Sequence, residues 1–232
     1  MPEKLIVKKI AHCRLNSTQL FSFFAARPWA MLLDSANGDH IDSRFDIMVA
    51  EPKVKIITWQ KETQITVNNH SHLSVDDPLS IIQQQIAAQL HITDNQSANR
   101  YLPFIGGAVG YFGYDLGGNF EALPHSAIDD INIPDMAVGI YDWAIIKDNH
   151  DQSVWFVSQG PSLDAVAPGF CDLIEAKVMG DARQCESAFA ITKDWQANMN
   201  FASYSSKFDK IQQYLLSGDC YQVNLAQRLT AQ

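Results

Sequence analysis

The chain has 232 residues, enough for one large domain or two small ones, and its 47% hydrophobic and 19% charged content is that of an ordinary globular protein. A formal net charge of -9 without any Lys/Arg run argues against nucleic-acid binding, and no apolar stretch reaches the roughly 18 residues of a membrane helix. The amino terminus MPEKLIVKKIAH lacks a signal-peptide core, and Cys13, Cys171, Cys185 and Cys220 have no paired spacing, so the expected compartment is the cytoplasm, with neither a zinc site nor a disulfide framework.

Lys4–Ile10 alternates and predicts a strand. Ser17 reads as an N-cap, with Leu20, Phe23 and Phe24 as the apolar stripe of a short helix that ends before Pro28. Trp29–Leu33 is a short apolar run, followed by a polar loop over Ser35–Asp42 that carries the turn signal Asn37-Gly38. Phe45–Ala50, Val54–Trp59 and Gln64–Val67 predict successive strands, broken at Glu51-Pro52 and again at Gln60–Glu62. Asp77-Pro78 opens a helix whose buried side is Ile81, Ile82, Ile86 and Leu90. His91–Tyr101 is polar and reads as a surface loop.

Two longer strands are predicted around Gly106–Tyr114 and Met136–Lys147, and Asn149-His150 predicts a hairpin into Ser153–Ser158. Pro161–Met179 is a weaker helix and Gly180–Ser187 reads as linker. Tyr204, Phe208, Ile211, Tyr214 and Leu215 recur at helical spacing, so Ser203–Leu216 is an amphipathic helix closed by Ser217-Gly218. A terminal strand follows, with Tyr221, Val223, Leu225 and Leu229 on one face. A strand with one apolar face needs neighbours. Cys220–Gln232 is therefore expected to borrow a partner from an existing sheet or a second molecule, or to be poorly ordered. Many strands on short turns, with helices between groups, give an α+β fold of mainly antiparallel sheets with flanking helices. The expected division is a domain over 1–180, a linker over 181–199, and the start of a second domain over 200–232.

Gly106, Gly107, Gly110 and Gly113 do not have the spacing of a dinucleotide loop, and glycines inside a strand more often permit close backbone approach. His70 and His72 have no third metal ligand nearby and read as part of a solvated loop. Asp115 and Asp142 read as hydrogen-bonding groups at strand ends rather than as paired acids. Glycosylation-type triplets at Asn16, Asn69 and Asn95 carry no weight without a secretion signal. More promising is Leu32-Leu33-Asp34-Ser35, followed after the loop Ala36–Asp42 by Ser43-Arg44-Phe45. Leu33 and Phe45 can supply apolar walls and Ser35 and Ser43 polar anchors, although an ordinary capped turn accounts for the same residues. No catalytic set is evident: no nucleophile with a matched base, no metal cluster, no carboxylate pair.

GDCYQVNLAQR (218–228) resembles the opening of the chorismate-binding domain in the aminodeoxychorismate synthase component I family, relatives of anthranilate synthase component I. RPWAMLLDS, SRFDIMVAEP, PFIGGAVGYFGYDLG and PDMAVGIYDWAII resemble that family's amino-terminal region in the family's order. The resemblance implies the amino-terminal part of the chorismate-utilising fold. It also implies amination of chorismate at C4 for para-aminobenzoate and folate synthesis, with ammonia from a separate glutamine amidotransferase subunit, component II. The family's chorismate site, magnesium-binding glutamates and reactive lysine match nothing here, so the chain is expected to lack catalytic and metal-binding residues, to hold no cofactor and to be inactive by itself. The family's tryptophan pocket maps onto Leu33, Ser35, Ser43, Arg44 and Phe45, its remaining wall lying beyond Gln232. Asn224 favours the para-aminobenzoate branch over anthranilate synthase component I. A non-catalytic tryptophan-binding regulatory module is the alternative of another class.

Overall fold

The computed structural model describes residues 5–36, 40, 42–90, 101–123, 129–172, 174 and 190–231. It divides into two units, Met1–Ala182 and Arg183–Gln232. The Asn37-Gly38 turn, the loop residues 91–100, Cys185 and the linker residues 181–189 lie outside the described residues.

Alternating segments in the first unit build two five-stranded antiparallel sheets. The first sheet has the order β1 (Ile6–His12), β10 (Ser153–Ser158), β9 (Trp143–Asp148), β3 (Phe45–Val49), β2 (Met31–Leu33). The second runs β6 (His70–Ser74), β5 (Glu62–Val67), β4 (Val54–Trp59), β8 (Met136–Tyr141), β7 (Gly107–Phe112). The predicted hairpin from β9 into β10 is present, with Asp148 opposite Ser153.

The long strand expected over Met136–Lys147 is in fact two, one in each sheet. Eleven of its twelve residues are buried, so no alternation marks where the chain turns from one sheet into the other. The change falls at Asp142, whose carboxylate lies 3.2 Å from Lys53 Nζ and whose carbonyl accepts the Gln159 N–H at 2.7 Å.

One face of the first sheet presents Met48, Ile145, Val154 and Phe156 to Leu20, Phe24 and Phe170, a buried cluster roofed by α1 (Ser17–Phe21) and the segment after Leu163. The opposite face presents Val49, Ala144, Ile146 and Val157, which join Val109, Leu102 and Tyr141. The second sheet packs Val54, Ile56, Ile65, Val138 and Ile140 against Ile81, Ile82 and Leu90 of α2 (Pro78–Gln89) and its C-cap. Asp77 caps α2 as the sequence indicates, accepting from Leu79 and Ser80 N–H.

Other elements depart from expectation. Asn16, not Ser17, is the N-cap of α1: its side chain accepts the Gln19 N–H while the Gln19 amide oxygen accepts the Asn16 N–H. Residues 70–74 form edge strand β6 rather than a loop. Asn68 and Asn69 both take positive φ, 49° and 65°, and this tight turn carries β5 back into β6. A polar edge strand has no apolar face to reveal it. Of the helix expected over Pro161–Met179, the described residues include the turn Leu163–Val166 and, after a break at 167–169, helical residues at 170–172 and 174.

The second unit contains α3 (Phe201–Ser217), one turn longer than its apolar stripe and closed by Gly218 at φ 79°. The terminal strand is much shorter than expected. Only β12 (Leu229–Thr230) pairs, with β11 (Gln196–Ala197) inside the expected linker, while Tyr221–Arg228 belongs to no ladder.

Candidate functional site

The strand ends that the sequence singles out do come together. Leu33 lies opposite Ile47, which sets the end of β2 beside the start of β3. Leu33 is 46% exposed and Phe45 half-buried. Ser35 and Ser43 meet, the Ser35 hydroxyl lying 3.1 Å from the Ser43 carbonyl.

The centre of this element is a residue that the sequence reading passed over. Asp46 is 2% exposed and accepts from four donors: Ser35 N–H at 2.8 Å, Ser35 Oγ at 2.7 Å, Asn149 Nδ2 at 2.8 Å, and the Ser17 hydroxyl. Burial pushes the Asp46 carboxyl up, but the hydrogen bonds from Ser17, Asn149 and Ser35 together outweigh it and hold the group below the ordinary carboxylate value. The available signal was a lone charge at an inward position of an alternating strand, which is rare unless that charge is hydrogen-bonded.

Arg44 is held by a second buried acid. Its guanidinium grips the fully buried Asp148 carboxylate, with Nε 3.1 Å from both oxygens and Nη2 2.7 Å from Oδ2. Tyr101 donates to the same oxygen at 2.8 Å, and the His150 N–H donates to Oδ1 at 3.0 Å. Desolvation raises the Asp148 pKa, yet Arg44, Tyr101 and His150 bring it below the ordinary value. The guanidinium carbon lies 4.7 Å from the Phe45 ring centre and 4.9 Å from that of Tyr101, and Tyr101 in turn packs on Trp155 at 5.6 Å. Lysine cannot reproduce the planar two-oxygen grip. Arg44→Lys is therefore expected to cost about 1–2 kcal/mol, read from the midpoint of urea unfolding.

Pleating divides these groups between two faces. Phe45 and Ile47 share the face of Tyr101 and Trp155, whereas Asp46 and Met48 share the face covered by α1. A cavity of about 340 Å³ opens on the Asp46 side, lined by Arg14, Ser17, Asp34, Asp46, Lys147 and Asn149 among others. None of Leu33, Ser35, Ser43, Arg44 and Phe45 lines it.

Among the described residues no three His, Cys, Asp or Glu side chains come together as a metal set, His70 and His72 included. No helix of the described residues is long and apolar enough to cross a membrane. The glycine cluster serves close backbone approach: a Cβ on Gly110 would stand 2.1 Å from the Ala137 carbonyl oxygen of β8.

Two antiparallel sheets backed by short helices make up the first unit. Residues 30–232 match the family model of chorismate binding enzymes, and the chain belongs to that family. It is 45% identical over 214 residues to aminodeoxychorismate synthase component 1 of Escherichia coli (strain K12), across 91% of this chain and 44% of that protein. The same-named protein of Klebsiella aerogenes is 44% identical over 211 residues, again 91% of this chain and 44% of the relative. Anthranilate synthase component 1 of Lactococcus lactis subsp. lactis (strain IL1403) is more distant, 28% identical over 205 residues, across 87% of this chain and 43% of that protein. The crystal structure of anthranilate synthase component I from Streptococcus pneumoniae TIGR4 superposes with a TM-score of 0.60 at 19% identity, covering 97% of this chain and 49% of that one, which supports the fold alone. The chain spans less than half the length of these curated relatives.

Proposed function

We propose that this chain supplies the amino-terminal region of an aminodeoxychorismate synthase component 1, in a protein that aminates chorismate to 4-amino-4-deoxychorismate for para-aminobenzoate synthesis. The observation that carries the reading is the identity gap, 45% to the Escherichia coli synthase component against 28% to an anthranilate synthase component, over similar shares of the chain. Chorismate, magnesium and the reacting groups then belong to the region of the relatives that this chain does not span. The ammonia comes from a glutamine amidotransferase, component II, and the setting is the cytoplasm. The described residues act as scaffold.

Joining residues 1–232 to the carboxy-terminal remainder of the Escherichia coli relative tests this directly. With chorismate, ammonia and magnesium, the folded chimera is expected to form 4-amino-4-deoxychorismate, and the 232-residue chain alone none. Anthranilate as the product, or turnover by the isolated chain, sinks the proposal.

The same reading makes Leu33, Ser35, Ser43, Arg44 and Phe45 one wall of a tryptophan pocket. Exposure of Leu33 supports it, as does the Ser35 hydroxyl, whose single hydrogen serves one acceptor while its lone pairs can take an ammonium N–H. Arg44 contributes through its place over Phe45, its guanidinium being committed to Asp148. Tryptophan calorimetry on the same chimera and its Ser35→Ala variant decides this: equal binding by both, or none by either, removes the pocket.

A further inference from the structure

Lys147 is a buried charge that the Leu33–Phe45 element does not use. It is 3% exposed and lies directly across from Asp46 on the α1-covered face of the first sheet. Among the described residues its ammonium donates one hydrogen bond, to the Leu15 carbonyl, although an ammonium carries three donors. Asp46 does not absorb the others, because its two oxygens are already taken by Ser17, Ser35 and Asn149. A cation taken out of water is strongly disfavoured unless it is paired. Burial indeed pushes the Lys147 amine below its ordinary value, with Cys13 and Asp46 pulling the other way.

Lys147 lines the 340 Å³ cavity together with Arg14, an exposed side chain with no ion pair among the described residues. Thr18 and Gln152 add neutral polar groups to the same lining. The formal charges around the cavity are Arg14 and Lys147 against Asp34 and Asp46, so they balance. A single negative charge placed against the two cations is accommodated, whereas a dianion would meet two carboxylates at close range.

We propose that this cavity binds a small organic monocarboxylate, whose oxygens accept hydrogen bonds from Lys147 and Arg14. The volume is at the lower end of the range for small-molecule sites. The site is independent of the tryptophan reading: it sits on the opposite face from Phe45, and none of the five residues of that wall lines it.

Propionate titrated into the full chain, at ionic strength held constant with sodium chloride, tests the site by calorimetry and by amide shifts at Ser17 and Thr18. Saturable one-site binding is expected, weakened at least about tenfold in Lys147→Met and in Arg14→Gln, and unchanged in the exposed-surface variant Lys8→Gln. Arg14 is on the surface, so its variant retains the fold and decides the matter if Lys147→Met does not fold. Absence of saturable binding, or binding that survives both cavity substitutions, overturns the proposal. Preference for inorganic phosphate over propionate overturns it too, since the charge balance argues against a dianion.

Discussion

Replacing Asp46 by alanine is expected to destabilise the first unit by about 3 kcal/mol, among the largest effects of any single side chain in it. Four hydrogen-bond donors converge on this carboxylate from three separate parts of the chain: the start of α1, the end of β2 and the β9–β10 turn. Alanine leaves those donors in a site that is 2% exposed, and it removes the negative charge that faces Lys147 across the strands. Each buried donor left without a partner costs about 1–3 kcal/mol, and only some can turn towards the cavity to find water. Asn is no remedy, because its amide would place donors where Ser17 and Asn149 already donate.

The pH dependence has a definite sign. The Asp46 and Asp148 carboxyls are held below their ordinary values in the folded state. Their contribution is therefore complete above the unfolded pKa of about 3.9, and it is lost as pH falls through the lower folded value. Stability should be flat near neutrality and decline below about pH 4, less steeply in Asp46→Ala. Urea unfolding followed by the fluorescence of Trp143, buried beside Phe24, reads both effects. A loss under about 1 kcal/mol at neutral pH would mean that the Asp46 hub is dispensable.

What the sequence revealed and what it hid follow the same physics. Elements with one wet face were legible: Val54–Trp59 alternates and is a strand at those limits, and Asp77-Pro78 opens a helix because a capping acid and a preorganised first turn are local signals. Met136–Asp148 was not legible as two strands, because a segment buried on both sides shows no period and the turn between sheets is set by long-range partners such as Lys53 and Gln159. The candidate site was half legible. Ser35, Ser43, Arg44 and Phe45 do lie together, but local spacing said nothing of Asp148, 104 residues from Arg44, or of Tyr101. Those partners commit the Arg44 guanidinium to Asp148 and pack Tyr101 against the Phe45 ring. Asp46 was within reach of sequence reasoning, as a charge facing inward in an alternating strand.

Gly110→Ala is the other substitution with a large expected effect, although the residue is on the surface and burial alone would class it as harmless. A Cβ there would stand 2.1 Å from the Ala137 carbonyl oxygen and 2.7 Å from the Val138 Cα, both backbone atoms of the neighbouring strand. No rotamer change can relieve such a contact, so β7 has to move away from β8. That movement loosens the ladder from Gly107 to Phe112 and draws Val109 out of the cluster that it shares with Tyr141 and Ala144. The expected cost is about 3 kcal/mol, at the upper end for an overpacked site, or a fall of roughly 6–12 °C in melting temperature for a unit of this size. Gly169→Ala supplies the comparison. It has φ 73° and nothing within 4 Å of its would-be Cβ, so it carries only the left-handed penalty of about 1 kcal/mol. Hydrogen exchange separates the two mechanisms. Gly110→Ala should speed exchange along Met136–Tyr141 selectively, while Gly169→Ala leaves that strand protected. Equal and small effects of the two substitutions would show that the close approach of β7 to β8 has slack, and that the strand glycine is there for another reason.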